Sequence, residues 1–405
     1  MSENVTMNWS VLKEFKPFLQ AAWKQSEFPK PTSIQSDAIP AILEGKDVIC
    51  ESPTGTGKTL AYLMPILEKI NPENQQIQAV ILAPSRELVM QIHGEIQTWT
   101  KESGIKSASF IGGANVKKQV EKLKNRPQVI VGTTGRILEL IKSKKMKMHE
   151  VKMIVADEAD QLTLPEHRKS LQEIIKTTLK DQRQLLFFSA TIGKETEQIA
   201  QELMDSPALI KVQHSKEDKE NVNHLYLVSE QREKIDTLRS VLHTVSGKVL
   251  VFINDVQKVG DVQTKLGFHK IDVAVLDGGA KKQEREAAIR KFRNNAVSIL
   301  LVTDLAARGL DISDVSHIIQ LDIPRDFHQY VHRSGRTGRM GAKGQVISIV
   351  SPQEERDIKR FCKQLGVKAD RKTLYRGNLI EEEVKKEEKA NSTFKKKTMH
   401  KKKKK

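Results

Sequence analysis

Short hydrophobic runs alternate with longer segments of helical spacing along most of the chain. In the first half these runs are rich in Val, Ile and Leu and cover residues 47–50, 79–83, 128–131, 153–156, 184–188 and 208–212. Short, nearly continuous apolar runs are typical of strands buried on both faces. Because the segments between them are long enough for crossover helices, the pattern predicts an α/β fold with a mostly parallel sheet and helices on both faces.

The composition changes at residues 213–221, which read QHSKEDKEN and contain no large apolar side chain. We interpret 213–222 as an exposed linker. The alternation then restarts, with candidate strands at 223–228, 248–253, 272–276, 298–302, 317–321 and 345–350. The pattern therefore predicts two α/β domains, at 1–212 and 223–370, and a C-terminal extension at 371–405 that ends in a disordered Lys-rich tail.

Charge narrows the classes of protein that fit the chain. The 405 residues include 68 Lys and Arg against 51 Asp and Glu, which gives a formal charge of +17. Eight of the lysines lie in 395–405, so the rest of the chain is basic too. A basic body favours a polyanionic partner, most often nucleic acid, although a merely soluble basic protein has the same composition. No apolar run approaches the roughly 18–20 residues that span a bilayer.

Cysteine content and the N-terminus indicate the compartment. Cys50 and Cys362 are the only cysteines, so a disulfide framework is excluded and a reducing environment is expected. Residues 1–16 lack the basic start and apolar stretch of a signal peptide. Both observations favour a cytoplasmic protein.

A phosphate-binding loop is predicted at residues 52–59, which read SPTGTGKT between a predicted strand and a segment of helical spacing. Gly55 and Gly57 allow a tight turn whose N–H groups point at phosphate oxygens, and the helix N-terminus adds positive charge. Lys58 is expected to reach the β- and γ-phosphates and Thr59 to hold Mg²⁺. The other predicted ATP-binding residues of the loop are Ser52, where the general pattern has Gly, and Pro53, Thr54 and Thr56.

An acidic motif follows another buried strand, about 100 residues after the lysine loop. It reads Asp157-Glu158-Ala159-Asp160. Asp157 is expected to reach Mg²⁺, partly through water, and Glu158 to orient and deprotonate the attacking water. Together with the phosphate loop, this motif predicts an ATP-hydrolysing site.

With these motifs the chain resembles the DEAD-box ATP-dependent RNA helicases, over about residues 9–370. The resemblance implies two tandem RecA-like domains that bind ATP, Mg²⁺ and RNA. It also identifies 9–35 as the adenine-reading segment, in which Gln35 pairs with the adenine edge and Phe28 packs on its face. A further aromatic upstream is Trp9, Phe15 or Phe18, and the sequence does not distinguish among them.

Several short motifs resemble the family's RNA-contacting loops. They lie just after predicted strands, at the edge of an open parallel sheet where ligands bind. Contacts to phosphate and ribose give affinity without sequence readout. Thr134 stands where the family usually has Pro. The RNA-binding residues that the resemblance implies are Pro84, Arg86, Gly113, Thr133, Arg136, Thr303 and Gly309.

Other motifs resemble the parts that couple hydrolysis to RNA. The resemblance implies that the hydroxyls of Ser189 and Thr191 bond to the acidic motif, and it assigns Asp160 and His332 to the same coupling. Asp304 is implied near the ATP ribose. Arg336 and Arg339 are implied to reach the γ-phosphate, where planar guanidinium donors meet developing negative charge.

The implied activity is RNA-stimulated ATP hydrolysis, coupled to cleft closure and to local, non-processive opening of short duplexes or RNA–protein remodelling. Three alternatives remain open: an ATP-gated RNA clamp or remodeller, a DNA translocase, and a non-enzymatic RNA-binding protein. Ribosome assembly, mRNA decay and cold adaptation all occur in the family, and the sequence selects none of them. A monomer is expected. The Lys-rich tail is interpreted as an electrostatic tether to RNA or as a solubilising segment.

Overall fold

The computed structural model describes residues 9–26, 28–212, 221–280, 282–307, 314–338 and 342–381. These residues form two compact units, the first ending at Val212 and the second starting at Asn221. Within this described part, no helix is long and apolar enough to cross a membrane. Most of the predicted linker and the Lys-rich tail lie outside the described residues.

The first unit is built on a seven-stranded sheet in the order β3-β4-β2-β5-β6-β1-β7. All neighbouring strands are parallel. The strands are β1 Val48–Glu51, β2 Ala79–Leu82, β3 Ser107–Phe110, β4 Val129–Gly132, β5 Met153–Asp157, β6 Gln184–Ser189 and β7 Ala208–Lys211.

Helices cover both faces of this sheet. Alternate strand residues belong to two separate hydrophobic clusters, with Val48 and Cys50 in one and Ile49 in the other. The predicted arrangement of helices on both faces is therefore confirmed for this unit. The helices are Pro17–Gln25, Ser33–Leu43, Lys58–Lys69, Arg86–Trp99, Val116–Leu123, Thr134–Lys142, Ala159–Leu162, Pro165–Ile175 and Lys194–Leu203, with 3₁₀ turns at Ser10–Glu14 and Lys180–Gln182.

The second unit has an eight-stranded sheet in the order β10-β11-β9-β12-β13-β8-β14-β15. Its strand pairs are parallel except for β14 and β15, which form an antiparallel edge hairpin. The strands are β8 Val222–Val228, β9 Lys248–Phe252, β10 Ala274–Leu276, β11 Ile299–Val302, β12 Val315–Gln320, β13 Gly344–Val350, β14 Ala369–Tyr375 and β15 Asn378–Glu381.

The helices of the second unit also pack on both sides of its sheet, since alternate residues of β8 enter two different clusters. Leu225 and Leu227 belong to one cluster, and Tyr226 belongs to the other. The helices are Lys234–Leu242, Val256–Phe268, Lys282–Arg293, Asp304–Ala307, Phe327–Ser334 and Glu355–Leu365, with a 3₁₀ turn at Gln231–Glu233.

Two features differ from the pattern-based prediction: the edge strand β3 of the first sheet and the hairpin of β14 and β15 at the edge of the second sheet. β3 reads SASF, and because two of its four residues are serines it does not form an apolar run. β14 reads ADRKTLY and crosses the predicted boundary at 370, so the second sheet continues to Glu381. Strands at or near the edge of a sheet are less buried and often more polar, which makes their sequence signal weak.

Candidate active site

The phosphate loop leads from β1 into the helix Lys58–Lys69. Gly57 has φ of 89°, and a Cβ there would lie 2.6 Å from Nε2 of Gln35. Ser52 donates its backbone N–H to the carbonyl of Ser189 at 3.0 Å, which ties the loop to the end of β6. Thr56 donates its hydroxyl to the Pro53 carbonyl at 2.7 Å. The glycine is therefore required both by its backbone angle and by the close approach of Gln35.

Lys58 folds back onto the loop that it follows. Its ammonium donates to the carbonyls of Ser52 and Pro53, at 2.6 and 3.0 Å. Burial lowers the pKa of Lys58, while the nearby carboxylates of Glu158 and Asp157 oppose this shift. The lysine, the loop and the acidic motif thus share one buried, charged site.

Asp157 ends β5 with a buried carboxylate. Its Oδ2 accepts a hydrogen bond from the Tyr62 hydroxyl at 2.9 Å, and its Oδ1 accepts the N–H of Glu158 at 3.0 Å. Burial and the neighbouring Glu158 raise the pKa of Asp157. The carboxylate of Asp157 and the hydroxyl of Thr59 are the hard oxygen donors that Mg²⁺ prefers, so this donor set fits the predicted metal.

Glu158 turns the chain from β5 into the short helix Ala159–Leu162. Its φ is 54°, in the left-handed region that residues with a Cβ rarely adopt. Such backbone strain costs on the order of 1–3 kcal/mol and is concentrated at functional sites. The strained turn places the acidic motif at the carboxyl edge of the sheet, beside the phosphate loop.

The coupling residues predicted in the first unit meet at one buried carboxylate. Asp160 accepts hydrogen bonds from Ser189 Oγ at 2.7 Å and from Thr191 Oγ1 at 3.3 Å. The backbone N–H of Gln161 also donates to Asp160 at 2.9 Å. The loop after β6 is thereby fixed to the acidic motif through side chains.

The adenine-reading segment packs beside the phosphate loop. Gln35 is buried; its Oε1 accepts the N–H of Thr32 at 2.9 Å, and its Nε2 donates to the Gly57 carbonyl at 3.4 Å. Phe28 is half-buried and meets Trp23 edge-on, with 5.7 Å between ring centroids. Trp23 lies 5.1 Å from Trp9, so that upstream aromatic is linked to Phe28 through one ring.

The five predicted RNA-binding positions of the first unit lie after β2, β3 and β4. A Cβ on Gly113, whose φ is 76°, would collide with the guanidinium of Arg86. Thr133 Oγ1 accepts the N–H of Gly112 at 3.3 Å. Arg136 is buried, donates to the Ala114 carbonyl at 3.2 Å and pairs with Glu139 at 3.0 Å. Pro84, directly after β2, is half-buried.

In the second unit, Asp304 is held by an arginine that the motif reading did not single out. Arg333, with a side chain 1% exposed, donates Nε to Asp304 Oδ1 at 2.6 Å and Nη2 to Asp304 Oδ2 at 2.5 Å. It also donates to Asn254 Oδ1 at 2.6 Å and to the Asp322 carbonyl at 2.7 Å. Its guanidinium lies 4.9 Å from the Phe252 ring centroid. Arg333 therefore organises the carboxyl ends of three strands.

The remaining predicted residues of the second unit are distributed around this arginine. Thr303 is buried, and its hydroxyl has no hydrogen-bond partner among the described residues. His332 lies on the helix Phe327–Ser334 and Arg336 just after it, and both are half-buried. Gly309 and Arg339 lie outside the described residues. Each unit thus carries its own share of the predicted site.

Two polar contacts at the site were missed from sequence. Tyr62 reads as a core aromatic on an apolar helix, and Arg333 reads as one more arginine in a basic motif. A signal for Tyr62 existed, because it follows Thr59 by three residues and so shares its helix face. No local signal identifies Arg333, since its partners are 11 to 79 residues away in the sequence.

Two family models match the chain, one in each unit. The model described as DEAD/DEAH box helicase matches residues 32–199, and the model described as Helicase conserved C-terminal domain matches residues 233–341. The first match contains the phosphate loop and the acidic motif, and the second contains Asp304 and Arg333.

Curated relatives and solved structures match over most of the chain. The DEAD-box ATP-dependent RNA helicase CshC of Bacillus cereus is 51% identical, over 95% of this chain and 98% of its own. The probable ATP-dependent RNA helicase YfmL of Bacillus subtilis is 52% identical, over 93% and 99%. The structure of S. cerevisiae Dbp5 bound to RNA and ADP BeF3 matches with a TM-score of 0.81 and 30% identity, over 90% of this chain and 95% of that one.

Proposed function

Because this chain belongs to the DEAD-box ATP-dependent RNA helicases, we propose that it hydrolyses ATP and couples each hydrolysis event to local opening of short RNA duplexes. Its two units are the tandem RecA-like domains of that family, and it is an ATP-hydrolysing enzyme that binds RNA.

The proposed hydrolytic residues are Lys58, Asp157 and Glu158, with Arg336 and Arg339 from the second unit. Lys58 holds the terminal phosphates, and Glu158 orients the attacking water and takes its proton. The two arginines stabilise the negative charge that develops on the γ-phosphate. Thr59 and Asp157 would hold Mg²⁺, which neutralises phosphate charge when bound.

The observation that best supports coupling is the carboxylate of Asp160, which accepts from both Ser189 and Thr191. Asp160 is two residues from the proposed base Glu158, and the two hydroxyls belong to the loop after the neighbouring strand. A displacement of the acidic motif on hydrolysis would therefore move that loop. Both bonds are buried, which makes them stronger than exposed bonds of the same length.

RNA is proposed to contact the loops after β2, β3 and β4, together with Thr303 and Gly309 of the second unit. Support comes from the buried hydroxyl of Thr303 and from the guanidinium of Arg86, which packs on Gly113. These groups suit phosphate and ribose, so we expect little sequence preference. Gln35 and Phe28 are proposed to select adenine, and Asp304 to lie near the ribose.

The cellular setting is proposed more broadly. We propose a cytoplasmic monomer that acts on structured RNA, with the Lys-rich residues 395–405 as an electrostatic tether. Association with ribosomes or with RNA-decay machinery is consistent with this chemistry, and no residue favours one over the other.

A strand-displacement assay tests the proposal. A short RNA duplex with a single-stranded flank carries a fluorophore on one strand. It is incubated with protein and ATP in the presence of an excess of unlabelled trap strand, which prevents re-annealing. We expect ATP-dependent displacement of a duplex of about ten base pairs, little displacement of a duplex three times as long, and none with Glu158→Gln. RNA-stimulated hydrolysis without any displacement would instead support the ATP-gated clamp.

A further inference from the structure

Tyr62 places a phenol hydroxyl between two proposed Mg²⁺-holding residues. It lies on the first turns of the helix Lys58–Lys69 and is fully buried. Its hydroxyl donates to Asp157 Oδ2 at 2.9 Å, and the Thr59 side chain lies near the same hydroxyl. The hydroxyl therefore connects the helix that follows the phosphate loop to the end of β5.

Packing alone does not require this hydroxyl. The ring of Tyr62 meets Phe188 edge-on, with 5.3 Å between ring centroids, and a phenylalanine would make the same apolar contact. A buried hydroxyl is favourable only when its hydrogen bonds are satisfied. Its partner, the Asp157 carboxylate, belongs to the proposed metal site.

We propose that Tyr62 is a positioning residue for Mg²⁺, an inference that rests on the proposed Mg²⁺ site at Thr59 and Asp157. Its hydroxyl fixes the rotation of the Asp157 carboxylate, whose other oxygen accepts the N–H of Glu158. The Asp157 oxygen donor is thereby oriented before the metal arrives, so less ordering is required on binding.

Residues that orient metal ligands have a characteristic effect when they are removed. Loss of such a hydrogen bond typically weakens metal affinity by about 10–100-fold. Loss of the Tyr62 hydroxyl should therefore raise the Mg²⁺ concentration needed for tight nucleotide binding, while contacts to adenine and to the phosphate-loop backbone stay intact. A merely structural hydroxyl would weaken nucleotide binding with and without metal alike.

The experiment compares Tyr62→Phe with wild type in the full chain. Binding of a fluorescent ADP is measured over a range of Mg²⁺ concentrations and with the metal removed by chelation, and Mn²⁺ binding is measured by electron paramagnetic resonance. Tyr226→Phe is the matched control, because Tyr226 is also buried and donates to a carboxylate, Glu355 Oε1, at 3.0 Å in the other unit.

We expect the half-saturating Mg²⁺ concentration to rise about tenfold in Tyr62→Phe, with a matching loss of Mn²⁺ affinity. Metal-free ADP binding should match wild type, and Tyr226→Phe should be unchanged. A Tyr62→Phe midpoint within a factor of about two of wild type would overturn the inference alone. If ADP binding by the wild type did not depend on the Mg²⁺ concentration, the proposed metal site would be overturned as well. Weaker metal-free binding in Tyr62→Phe would assign the hydroxyl a structural role and overturn the inference.

Discussion

Replacing Arg333 by lysine removes the planar donor that the second unit uses to join three strand ends. The guanidinium donates to both oxygens of Asp304, to Asn254 Oδ1 and to the carbonyl of Asp322, and it lies over Phe252. The lysine ammonium concentrates its charge and its donors on one nitrogen atom, so it cannot reach all of the acceptors that surround the planar guanidinium. At least two half-buried acceptors would lose their donor.

The expected cost follows from those lost contacts. A buried acceptor left without its donor costs about 1–3 kcal/mol. Breaking a buried ion pair outright costs about 3–5 kcal/mol. Because lysine keeps the charge and one contact, we expect Arg333→Lys to lower the free energy of unfolding of the second unit by about 3 kcal/mol. That loss corresponds to a fall of about 1–2 M in the urea midpoint.

The positions of the tryptophans allow the two units to be followed separately. The chain has three, Trp9, Trp23 and Trp99, and all lie in the first unit. Tryptophan fluorescence therefore reports unfolding of the first unit, whereas far-ultraviolet circular dichroism reports both. In Arg333→Lys we expect an early transition in circular dichroism and an unchanged midpoint in fluorescence.

A matched control is Arg360→Lys, since Arg360 is 60% exposed and pairs with Asp357 at 2.7 Å on the surface. Exposed pairs contribute at most about 1 kcal/mol, so this variant should unfold like wild type. If Arg333→Lys also unfolded like wild type in both signals, the buried network would not hold the second unit together, and the reasoning would be refuted.

Three further predictions concern coupling, pH and the tail. Ser189→Ala removes a bond to Asp160 and should reduce duplex displacement at least tenfold while RNA-stimulated ATP hydrolysis changes little; equal losses in the two assays would contradict the coupling role. Burial raises the pKa of Glu354, but the hydrogen bonds from Lys234 and Ser351 together lower it further, so its pKa lies below the usual value. The pair with Lys234 therefore stabilises the second unit at neutral pH, and this stabilisation is lost as the pH falls below about 4. Urea unfolding of Glu354→Gln should show a deficit at pH 7 that closes on acidification, and a constant deficit would argue against it. Deletion of residues 395–405 should weaken RNA binding and make its dependence on salt concentration shallower, which filter binding at several salt concentrations would reveal.

Sequence predicts best those parts of the site that are contiguous. The phosphate loop depends on spacing within eight residues, and the acidic motif directly follows an apolar strand. Both lie beside each other in the structure because the carboxyl ends of parallel strands meet at one edge. The strand pattern likewise predicted the interior strands of both sheets apart from β14, since strands buried on two faces are almost wholly apolar.

Sequence predicts poorly what depends on distant partners or on weak hydrophobicity. β3 is an edge strand and β14 is the next to last strand of its sheet, and both contain polar residues, so the apolar pattern did not reveal them. Arg333 could not be separated from the other arginines of its motif, because its importance comes from Asp304 and Asn254, which only the fold brings near. Tyr62 was missed for a different reason. Its ring fits the apolar pattern of a core helix, and that pattern carries no information about the hydroxyl group.

The most direct test of the account is steady-state ATP hydrolysis by the full chain with no nucleic acid, with single-stranded RNA and with DNA of the same sequence. Glu158→Gln, which keeps the shape of the side chain and removes the base, is measured beside wild type. We predict strong stimulation by RNA, little by DNA, and a loss of about 100-fold or more in Glu158→Gln. If the rate of ATP hydrolysis did not depend on RNA, or if Glu158→Gln kept the wild-type rate, the central claim that this acidic motif performs RNA-dependent ATP hydrolysis would be contradicted.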